Sequence, residues 1–360
     1  MKTQNSIKNP DLSRLVRPNI RKLVPYVAEE VPCKAKLDAN ESPYPAELEY
    51  QALLTIQPNR YPDPQASALK AALAGFLGER LGPEWILHGN GSDELIFNLI
   101  CVFKGPVIYP VPTFSMYGKI AQALGEKTVE IPLQKNFALD TQAIIKEVSK
   151  GPNLVFLSTP NNPTGNAFAP ADILRIAEKS RGLVVVDEAY QPFSGQRTFI
   201  KEIKKRPNIL VMKTLSKIGL AALRLGFLIA RPEIIKEVDK VRLPFNVNSF
   251  SQAAAVGALG NQRPLNKSIE KVISERKRLF KLLSGIKGLT PFPSKANFIL
   301  FAVDRHIRIE AAGLCESVFN GAGVLLRHIV IPDGREYVRV TVGTRKENDL
   351  FIKAIKRALK

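Results

Sequence analysis

Between about residues 40 and 230, short apolar runs alternate with amphipathic stretches, a pattern that predicts a parallel sheet with crossover helices. Residues 65–81 have the spacing of an amphipathic helix, with Leu69, Leu73 and Leu77 on one side together with Phe76. The apolar runs have the length of buried strands, and several are rich in Val and Ile. They cover residues 107–109, 154–157, 183–186, 209–212 and 225–230. The pattern predicts an α/β fold with a mostly parallel central sheet.

The pattern changes near Arg231-Pro232. Helical spacing follows over 234–241 and over 249–283, with an interruption at Gly260-Asn261, and the chain ends with a helical stretch over 347–359. Strand-like runs cover 297–301 and 337–342. We therefore predict a large domain over 39–243 and a smaller α+β domain over 244–360, with an N-terminal segment, 1–38, packed on the small domain.

Composition fits a globular protein with a large core, since 45% of the 360 residues are hydrophobic and 24% are charged. The N-terminal stretch has no signal-peptide apolar region, and we find no apolar run long enough to span a bilayer. Cys33, Cys101 and Cys315 are odd in number and far apart, which suits neither a disulfide framework nor a zinc site. These features predict a cytoplasmic protein.

The net charge of +19 raises the question of a nucleic-acid or anionic-membrane partner. The basic residues are spread along the chain, and no zinc-finger spacing, basic-region heptad array or aromatic ribonucleoprotein motif is present. The pattern favours a generally basic, solvated surface. A basic nucleic-acid-binding protein is kept as an alternative of a different class, and it would bind nucleic acid in a salt-sensitive way.

Three polar side chains follow predicted strands, at the edge of the sheet where ligands of α/β proteins collect. Asn162 comes after the run 154–157, Asp187 ends the run 183–186, and Lys217 follows the run 209–212. Pyridoxal phosphate needs an amine for its aldehyde and a carboxylate for its pyridinium nitrogen. Lys217 and Asp187 are the candidates for these two tasks. The alternatives are a surface lysine and a carboxylate that caps the next segment.

The remaining cofactor contacts are also suggested by the residue types. Tyr190 and Asn162 would hydrogen-bond the 3′-oxygen, although a packed tyrosine and a turn-forming Asn-Pro are alternatives. A Gly-rich loop, 89–94, opens an apolar helical run over 95–103 and offers backbone N–H groups to a phosphate, with a simple helix N-cap as the alternative for Ser92. Further candidates are Thr214, Ser216 and Arg224 for the phosphate and Phe114 for stacking on the ring, with a core aromatic as the alternative for Phe114.

These motifs, in this order, resemble those of fold-type I, class-II pyridoxal-phosphate aminotransferases, and among them the histidinol-phosphate aminotransferases. The resemblance extends over essentially the whole chain. It rests on the following segments: Arg17-Pro18-Asn19-Ile20-Arg21-Lys22-Leu23-Val24-Pro25-Tyr26, Leu37-Asp38-Ala39-Asn40-Glu41-Ser42-Pro43, Arg60-Tyr61-Pro62-Asp63, Gly91-Ser92-Asp93-Glu94, Asn161-Asn162-Pro163-Thr164-Gly165, Asp187-Glu188-Ala189-Tyr190, Thr214-Leu215-Ser216-Lys217, Ala296-Asn297-Phe298 and Arg339-Val340-Thr341-Val342-Gly343-Thr344.

The resemblance implies roles for individual residues. Catalysis would fall to Lys217, Asp187 and Tyr190, and Tyr61 would reach the cofactor phosphate of a neighbouring subunit in a homodimer with shared active sites. Phe114 stands where a tyrosine is frequent in the family, a change that keeps stacking and loses a phenolic hydrogen bond. The resemblance implies a phosphate-binding set of Gly91, Ser92, Asp93, Thr214, Ser216 and Arg224, and a substrate-binding set of Tyr26, Asn40, Arg327 and Arg339.

The activity implied by the resemblance is amino transfer from L-histidinol phosphate to 2-oxoglutarate, giving imidazole-acetol phosphate and L-glutamate, a step of histidine biosynthesis. Two other activities use the same cofactor residues on the same scaffold. They are an aromatic amino-acid aminotransferase, which would bind a carboxylate with Arg339, and a threonine-phosphate decarboxylase, which breaks a different Cα bond. The cofactor residues do not separate these three reactions.

Overall fold

The computed structural model describes residues 15–25, 31–79, 81–304 and 306–360. Its strands are short, as the apolar runs predict. In chain order they are β1 (Ala35–Lys36), β2 (Ile86–Asn90), β3 (Val107–Val111), β4 (Thr128–Pro132), β5 (Leu154–Ser158), β6 (Leu183–Asp187), β7 (Ile209–Thr214), β8 (Leu225–Ile229), β9 (Leu289–Pro291), β10 (Phe298–Val303), β11 (Val324–Leu325), β12 (Arg327–Val330) and β13 (Glu336–Thr341).

The helices of the described residues lie between these strands and flank them. In chain order they are α1 (Pro18–Arg21), α2 (Tyr50–Leu54), α3 (Ser67–Leu77), α4 (Ser92–Val102), α5 (Met116–Leu124), α6 (Thr141–Val148), α7 (Pro170–Lys179), α8 (Ile200–Ile203), α9 (Pro232–Asp239), α10 (Ser249–Gly260), α11 (Gln262–Ser284), α12 (Ala311–Ala322) and α13 (Arg345–Ala358). Single 3₁₀ turns occur at Pro83–Trp85, Gln191–Phe193, Ser216–Ile218 and Ala221–Leu223.

In the described part of the chain, the large sheet has seven strands in the order β2-β8-β7-β6-β5-β3-β4. The strands from β7 to β4 are parallel to their neighbours, and β8 is antiparallel to both β7 and β2. A parallel connection needs a crossover of a dozen or more residues, and the segment 215–224 between β7 and β8 contains no crossover helix. The predicted α/β fold with a mostly parallel sheet is confirmed.

Strands from the C-terminal part form a second sheet, with the antiparallel order β12-β13-β10-β9. Helix α12 packs on β12 and β13, whereas α11 packs on β9 and β10. Strand β1 pairs in parallel with β11, so residues 35–36 lie against this C-terminal part. The predicted domain limits at residues 38 and 243 stay a prediction.

Helix ends follow local chemistry. Helix α3 is shorter than the predicted 65–81 because Gly78 adopts a left-handed conformation, with φ of 66°, and ends it. The predicted interruption near Gly260-Asn261 is present, since α10 ends at Gly260 and α11 begins at Gln262. Helix α4 begins at Ser92, three residues before the predicted start, and the preceding residues Gly89 and Asn90 belong to β2.

Both faces of the large sheet are buried, because neighbouring residues of one strand face different clusters. Val184 and Val186 of β6 belong to the larger core cluster, while Val185 packs with Leu210 in a second cluster on the other face. This double burial explains the continuous apolar runs in the sequence. The carboxyl ends of β5, β6 and β7 meet at one edge of the sheet, where the candidate site lies. None of the described helices has the length and hydrophobicity needed to cross a membrane.

Candidate active site

A cavity of about 100 Å³ lies at the carboxyl ends of the parallel strands. Asp187 is the last residue of β6, Thr214 is the last residue of β7, and Lys217 lies in the 3₁₀ turn that follows β7. The sequence prediction that these side chains converge therefore agrees with their placement. The residues that line the cavity are Ser92, Asp93, Phe114, Ser158, Asn162, Asp187, Ala189, Tyr190, Thr214, Ser216, Lys217 and Arg224.

Asp187 is the buried acid of this cavity, with 4% of its surface exposed. Its Oδ2 accepts a hydrogen bond of 2.6 Å from the Tyr117 hydroxyl, and its Oδ1 accepts one of 3.0 Å from the backbone N–H of Ala189. Burial raises the pKa of the Asp187 carboxyl to about 6, although both hydrogen bonds oppose this shift. A cation bound beside this carboxyl would oppose the effect of burial and lower the pKa.

Tyr117 was not among the predicted site residues. It lies in α5, is fully buried, stacks on Phe156 at 4.7 Å and meets Phe114 edge-on at 5.6 Å. Burial and the neighbouring Asp187 raise the pKa of the Tyr117 hydroxyl well above its usual value, which keeps it a donor. Its position three residues after Phe114 was the available signal, but its contact with Asp187 spans 70 positions.

Lys217 is half-buried, and its amine lies beside groups from two other parts of the chain. Its Nζ donates to the carbonyl oxygen of Ala39 at 3.4 Å and lies 5.8 Å from the centre of the Tyr190 ring. The Tyr190 hydroxyl in turn accepts a hydrogen bond of 3.0 Å from Asn40 Nδ2. The structure thus places Asn40, Tyr190 and Lys217 close together, with Tyr190 and Lys217 in the lining of the cavity.

A second group of residues in the cavity lining provides donors suited to an anion. Thr214 Oγ1 donates to Ser216 Oγ at 3.0 Å, and Arg224 Nη1 donates to the same Ser216 oxygen at 3.4 Å. Arg224 Nη2 lies 3.6 Å from Asp93 Oδ2 at the first turn of α4, where the helix dipole favours negative charge. Burial raises the pKa of the Asp93 carboxyl, and the neighbouring Arg224 and Lys217 oppose this.

Two glycines make room for this cluster. Gly91 precedes α4 with φ of 82°, and a Cβ added there would lie 2.7 Å from Arg224 Nη2. A Cβ on Gly226 of β8 would lie 2.6 Å from the backbone nitrogen of Ser92. Both are glycines because the start of α4 approaches β8 and Arg224 too closely for any side chain. The result is a cradle with free N–H groups at a helix N-terminus.

A wider cleft of about 830 Å³ adjoins the cavity and shares Asp93, Phe114, Asn162, Tyr190 and Lys217 with it. Two further predicted residues, Arg327 of β12 and Arg339 of β13, line this cleft and are direct cross-strand partners. Arg339 donates to Asn162 Oδ1 and to the carbonyl oxygen of Asp38. Two guanidinium groups on facing strands are well suited to bind a phosphate.

Of the predicted site residues that the structure describes, Gly91 and Tyr61 line neither cavity. Tyr61 is 81% exposed and stacks on Phe245, with ring centroids 4.6 Å apart, and it lines neither cavity. The expected contact of Tyr61 with a neighbouring subunit stays a prediction. Tyr26 lies outside the described residues, so its predicted substrate contact stays a prediction.

Comparison with known proteins gives one consistent family. The chain is 40% identical to a histidinol-phosphate aminotransferase of Nitrosococcus oceani, with 97% of this chain and 98% of that protein covered. It is 39% identical to a histidinol-phosphate aminotransferase of Aquifex aeolicus, with 96% and 98% covered. The crystal structure of a histidinol-phosphate aminotransferase from Sinorhizobium meliloti in complex with pyridoxal-5′-phosphate superposes with a TM-score of 0.83 at 26% identity, covering 96% of this chain and 97% of that one.

The model of the family described as aminotransferase class I and II matches residues 29–355. This match agrees with the arrangement of a lysine, an aspartate and an anion cradle at the carboxyl ends of the strands. The predicted fold type and the predicted kind of enzyme are confirmed by these likenesses. The chain belongs to the aminotransferase class I and II family.

Proposed function

We propose that this chain is a pyridoxal-phosphate-dependent aminotransferase that transfers the amino group of L-histidinol phosphate to 2-oxoglutarate, giving imidazole-acetol phosphate and L-glutamate in histidine biosynthesis. The near-complete coverage of relatives with this activity in their names supports the proposal. The observation that carries it in this chain is the cross-strand pair Arg327 and Arg339, which lines a cleft adjoining the cavity of Lys217 and Asp187.

The residues of the cavity fit the cofactor. Asp187 is buried, and it forms an ion pair with no Lys or Arg side chain that the structure describes, so the protonated pyridine nitrogen would supply its missing cation. The phosphate would occupy the cradle at the start of α4, where Ser216 and Arg224 add a hydroxyl and a guanidinium. Asn162 and Tyr190 would hydrogen-bond the 3′-oxygen, and Phe114 would stack on the ring.

When bound, pyridoxal phosphate supplies an electron sink that makes the proton on the substrate's Cα acidic. Lys217 would hold the cofactor between turnovers and would act as general base and acid towards that Cα proton. Asp187 would keep a negative charge against the pyridine nitrogen, and Tyr117 would fix the direction of this carboxylate through its hydrogen bond.

We propose that the paired arginines select the substrate's phosphate. Arg339 is buried and held by Asn162 and by the Asp38 carbonyl oxygen, so its position is set before substrate binds. Arg327 lies opposite it on β12, so two positive charges face one end of the cleft. Asn40 and Tyr26 would complete the substrate contacts; only Asn40 lies within the described residues.

We further propose a homodimer with shared active sites. Large apolar side chains are exposed on neighbouring elements: Leu54 of α2 is 84% exposed, Leu243 is 70% exposed and Phe250 of α10 is 51% exposed. Helix α2 packs on α10, and Tyr61 stacks on Phe245, which follows Leu243 closely in the chain. A patch of this kind is typical of an interaction surface.

We keep the predicted domain limits, 1–38, 39–243 and 244–360, as proposals. They are supported by the separation of the two larger sheets along the chain, since the strands of the large sheet end at Ile229 and those of the second sheet begin at Leu289. A cytoplasmic location also stays a prediction.

A panel of amino donors tests the proposed substrate. With 2-oxoglutarate as acceptor, histidinol phosphate should give the highest kcat/KM, ahead of phenylalanine and tyrosine. Replacing Arg327 with Gln should lower kcat/KM for histidinol phosphate by about 10- to 100-fold, because one charged contact to the phosphate is lost, and should change kcat/KM for phenylalanine less. A preference for phenylalanine, or release of CO₂ from threonine phosphate, would contradict the proposed substrate.

A further inference from the structure

A buried ion pair lies directly behind the cofactor cavity. Lys213 is the penultimate residue of β7, and Glu188 immediately follows Asp187. The Nζ of Lys213 lies 2.6 Å from Oε2 of Glu188, and the two side chains are only 8% and 1% exposed. Neither residue lines the cavity or the cleft, so neither is placed to contact the cofactor or the substrate.

Both charges of the pair have further hydrogen bonds. Glu188 accepts from the Thr198 hydroxyl and from the backbone N–H of Phe199, each at 2.6 Å. Lys213 also donates to Gln191 Oε1 at 2.9 Å. A buried pair with such partners keeps a fixed geometry, whereas removal of one charge would leave the other uncompensated in a low-dielectric interior.

The pair and the cavity share two strand ends. Asp187 pairs with Met212 across the ladder, and the backbone N–H of Glu188 donates to the carbonyl oxygen of Met212 at 2.8 Å. Adjacent residues of a strand point to opposite faces of the sheet, so Lys213 lies on the other face from Met212 and Thr214. The ion pair therefore connects the carboxyl ends of β6 and β7 on one face of the sheet, while Asp187 and Thr214 line the cavity from the same two strand ends.

The charge of Glu188 also acts on Asp187. Burial is the main cause of the raised pKa of Asp187, and repulsion from Asp93 and from the neighbouring Glu188 adds to it. Lys213 is the cation that compensates Glu188. The other titratable or charged groups that act on Asp187 or line its cavity are Tyr117 from α5, Asp93 from α4, Tyr190 after β6, and Lys217 and Arg224 after β7.

We propose that Lys213 is a positioning residue for the cofactor acid: its ion pair with Glu188 cancels the charge beside Asp187 and fixes the ends of β6 and β7, so that Asp187 enters the cavity as a carboxylate. The proposal rests on the proposed function, since it concerns the acid that would meet the pyridine nitrogen. Lys213 acts only through Glu188 and Asp187 and contacts no reacting group.

The test follows the titration of Asp187 in the cofactor-free protein. Unfolding midpoints are measured from pH 4.5 to pH 8.5, and each variant is compared with its own Asp187→Asn derivative, so that the pH-dependent difference isolates Asp187. In the wild type this difference should change around the pKa of about 6. Cofactor affinity, measured by absorbance at each pH, gives a second readout.

Lys213→Met should move the Asp187 transition upward by about one pH unit, since it leaves Glu188 uncompensated. Lys213→Arg should leave the transition in place, and the double variant Lys213→Met/Glu188→Gln should restore it. Glu188→Gln alone should move the Asp187 transition downward, because Lys213 then acts on Asp187 unopposed. This variant tests the proposal even if Lys213→Met does not fold. Cofactor affinity at neutral pH should fall with each upward shift.

A purely structural role for Lys213 predicts that Lys213→Met and the double variant lose stability with an unchanged Asp187 transition, and that result would overturn the proposal. An unmoved transition in Glu188→Gln would overturn it as well. These outcomes are separate from the proposed function. A wild-type protein that fails to bind pyridoxal phosphate contradicts the function, while the titration of Asp187 can be followed in either case.

Discussion

Asp187 shows how one buried side chain links stability to function. Its carboxyl has a pKa raised from 3.8 to about 6 by burial, so the folded, cofactor-free protein binds this proton more tightly than the unfolded chain does. The favourable contribution is complete below the unfolded pKa and is lost as the pH rises through about 6. At pH 8 the ionised carboxylate costs the cofactor-free fold about 3 kcal/mol, which a bound pyridinium would offset.

We therefore expect Asp187→Asn to stabilise the cofactor-free protein by about 1 to 2 kcal/mol at pH 8 and to have little effect at pH 4.5. The same change should weaken pyridoxal phosphate binding and remove most of the activity, because an amide offers no charge to the pyridine nitrogen. Urea unfolding at the two pH values and an absorbance titration with the cofactor measure both effects.

Asp333 offers a matched control. It is exposed and pairs with Arg335, an interaction that lowers the pKa of its carboxyl, so Asp333→Asn should give no gain at pH 8. If Asp187→Asn left stability unchanged at pH 8, the carboxyl of Asp187 would not be ionised and uncompensated in the cofactor-free protein.

The start of α4 depends on a glycine from another element. The backbone of Ser92 approaches β8 so closely that Gly226→Ala would place a methyl group 2.6 Å from the Ser92 nitrogen. Because that nitrogen belongs to the anion cradle, we expect the substitution to weaken pyridoxal phosphate binding at least about tenfold, with a smaller effect on KM for substrate. Absorbance titration of the cofactor-free protein gives the affinity.

Gly75→Ala in α3 is the control for Gly226→Ala. Apart from the backbone of α3 itself, no atom of the described residues lies within 4 Å of an added Cβ at Gly75, so this change should raise stability by about 0.5 to 1 kcal/mol and leave cofactor affinity unchanged. Equal affinities in the two variants would show that the close approach of β8 does not shape the cradle.

The sequence predicted the elements with a strong apolar signal and missed those without one. The runs 154–157, 183–186 and 209–212 became β5, β6 and β7, because fully buried strands need continuous apolar residues. Strands β4 and β12 were not predicted, since the side chains of β4 are mostly part-exposed or exposed and those of β12 entirely so. Element boundaries also depended on single glycines such as Gly78 and Gly91.

Convergence at the site was predictable only in part. Asp187 and Lys217 could be placed together because parallel strands end at one edge of the sheet. The hydrogen bond from Tyr117 and the register that faces Arg327 with Arg339 depend on tertiary packing, which has no signature in local spacing. The pair of Lys213 and Glu188 was not predicted for the same reason, although Glu188 lies within the segment 187–190 and Lys213 directly precedes the segment 214–217.

The N-terminal and C-terminal halves of the molecule are joined near the site by a buried arginine. Arg276 of α11 is 7% exposed and donates from Nη1 to the carbonyl oxygens of Phe193 at 3.0 Å and Ala296 at 2.6 Å. Phe193 follows β6 and Ala296 precedes β10, so one side chain ties the large sheet to the second sheet. Burial lowers the pKa of Arg276 to about 10, so it remains charged at neutral pH.

Replacing Arg276 with Met should destabilise the protein by about 2 to 4 kcal/mol, because two buried carbonyl groups lose their donor. Lys277→Met, at the exposed neighbouring position, should change stability by less than about 0.5 kcal/mol. Thermal unfolding of both variants measures the difference. Equal midpoints would mean that Arg276 does not hold the two parts together.

If the chain forms the proposed dimer, its oligomeric state should depend on the exposed apolar patch. Leu243 is 70% exposed, and a charge there would be buried and unpaired in an interface. We expect Leu243→Glu to shift the protein towards a monomer with reduced cofactor affinity, and Leu243→Met to leave the mass unchanged. Light scattering after size exclusion gives the mass. A wild-type protein that is monomeric at micromolar concentration would contradict the shared-site proposal.

We propose above all that this chain uses Lys217-bound pyridoxal phosphate to take the amino group of histidinol phosphate. The most direct measurement is a visible absorbance titration of the purified, cofactor-loaded protein with histidinol phosphate, with Lys217→Ala as the control that should lack the bound-cofactor band. We expect loss of that band, growth of the pyridoxamine form, and reversal of this spectral change by 2-oxoglutarate. A band that ignores histidinol phosphate but answers to phenylalanine or tyrosine would contradict the substrate, and the lack of any band after addition of pyridoxal phosphate would contradict the enzyme.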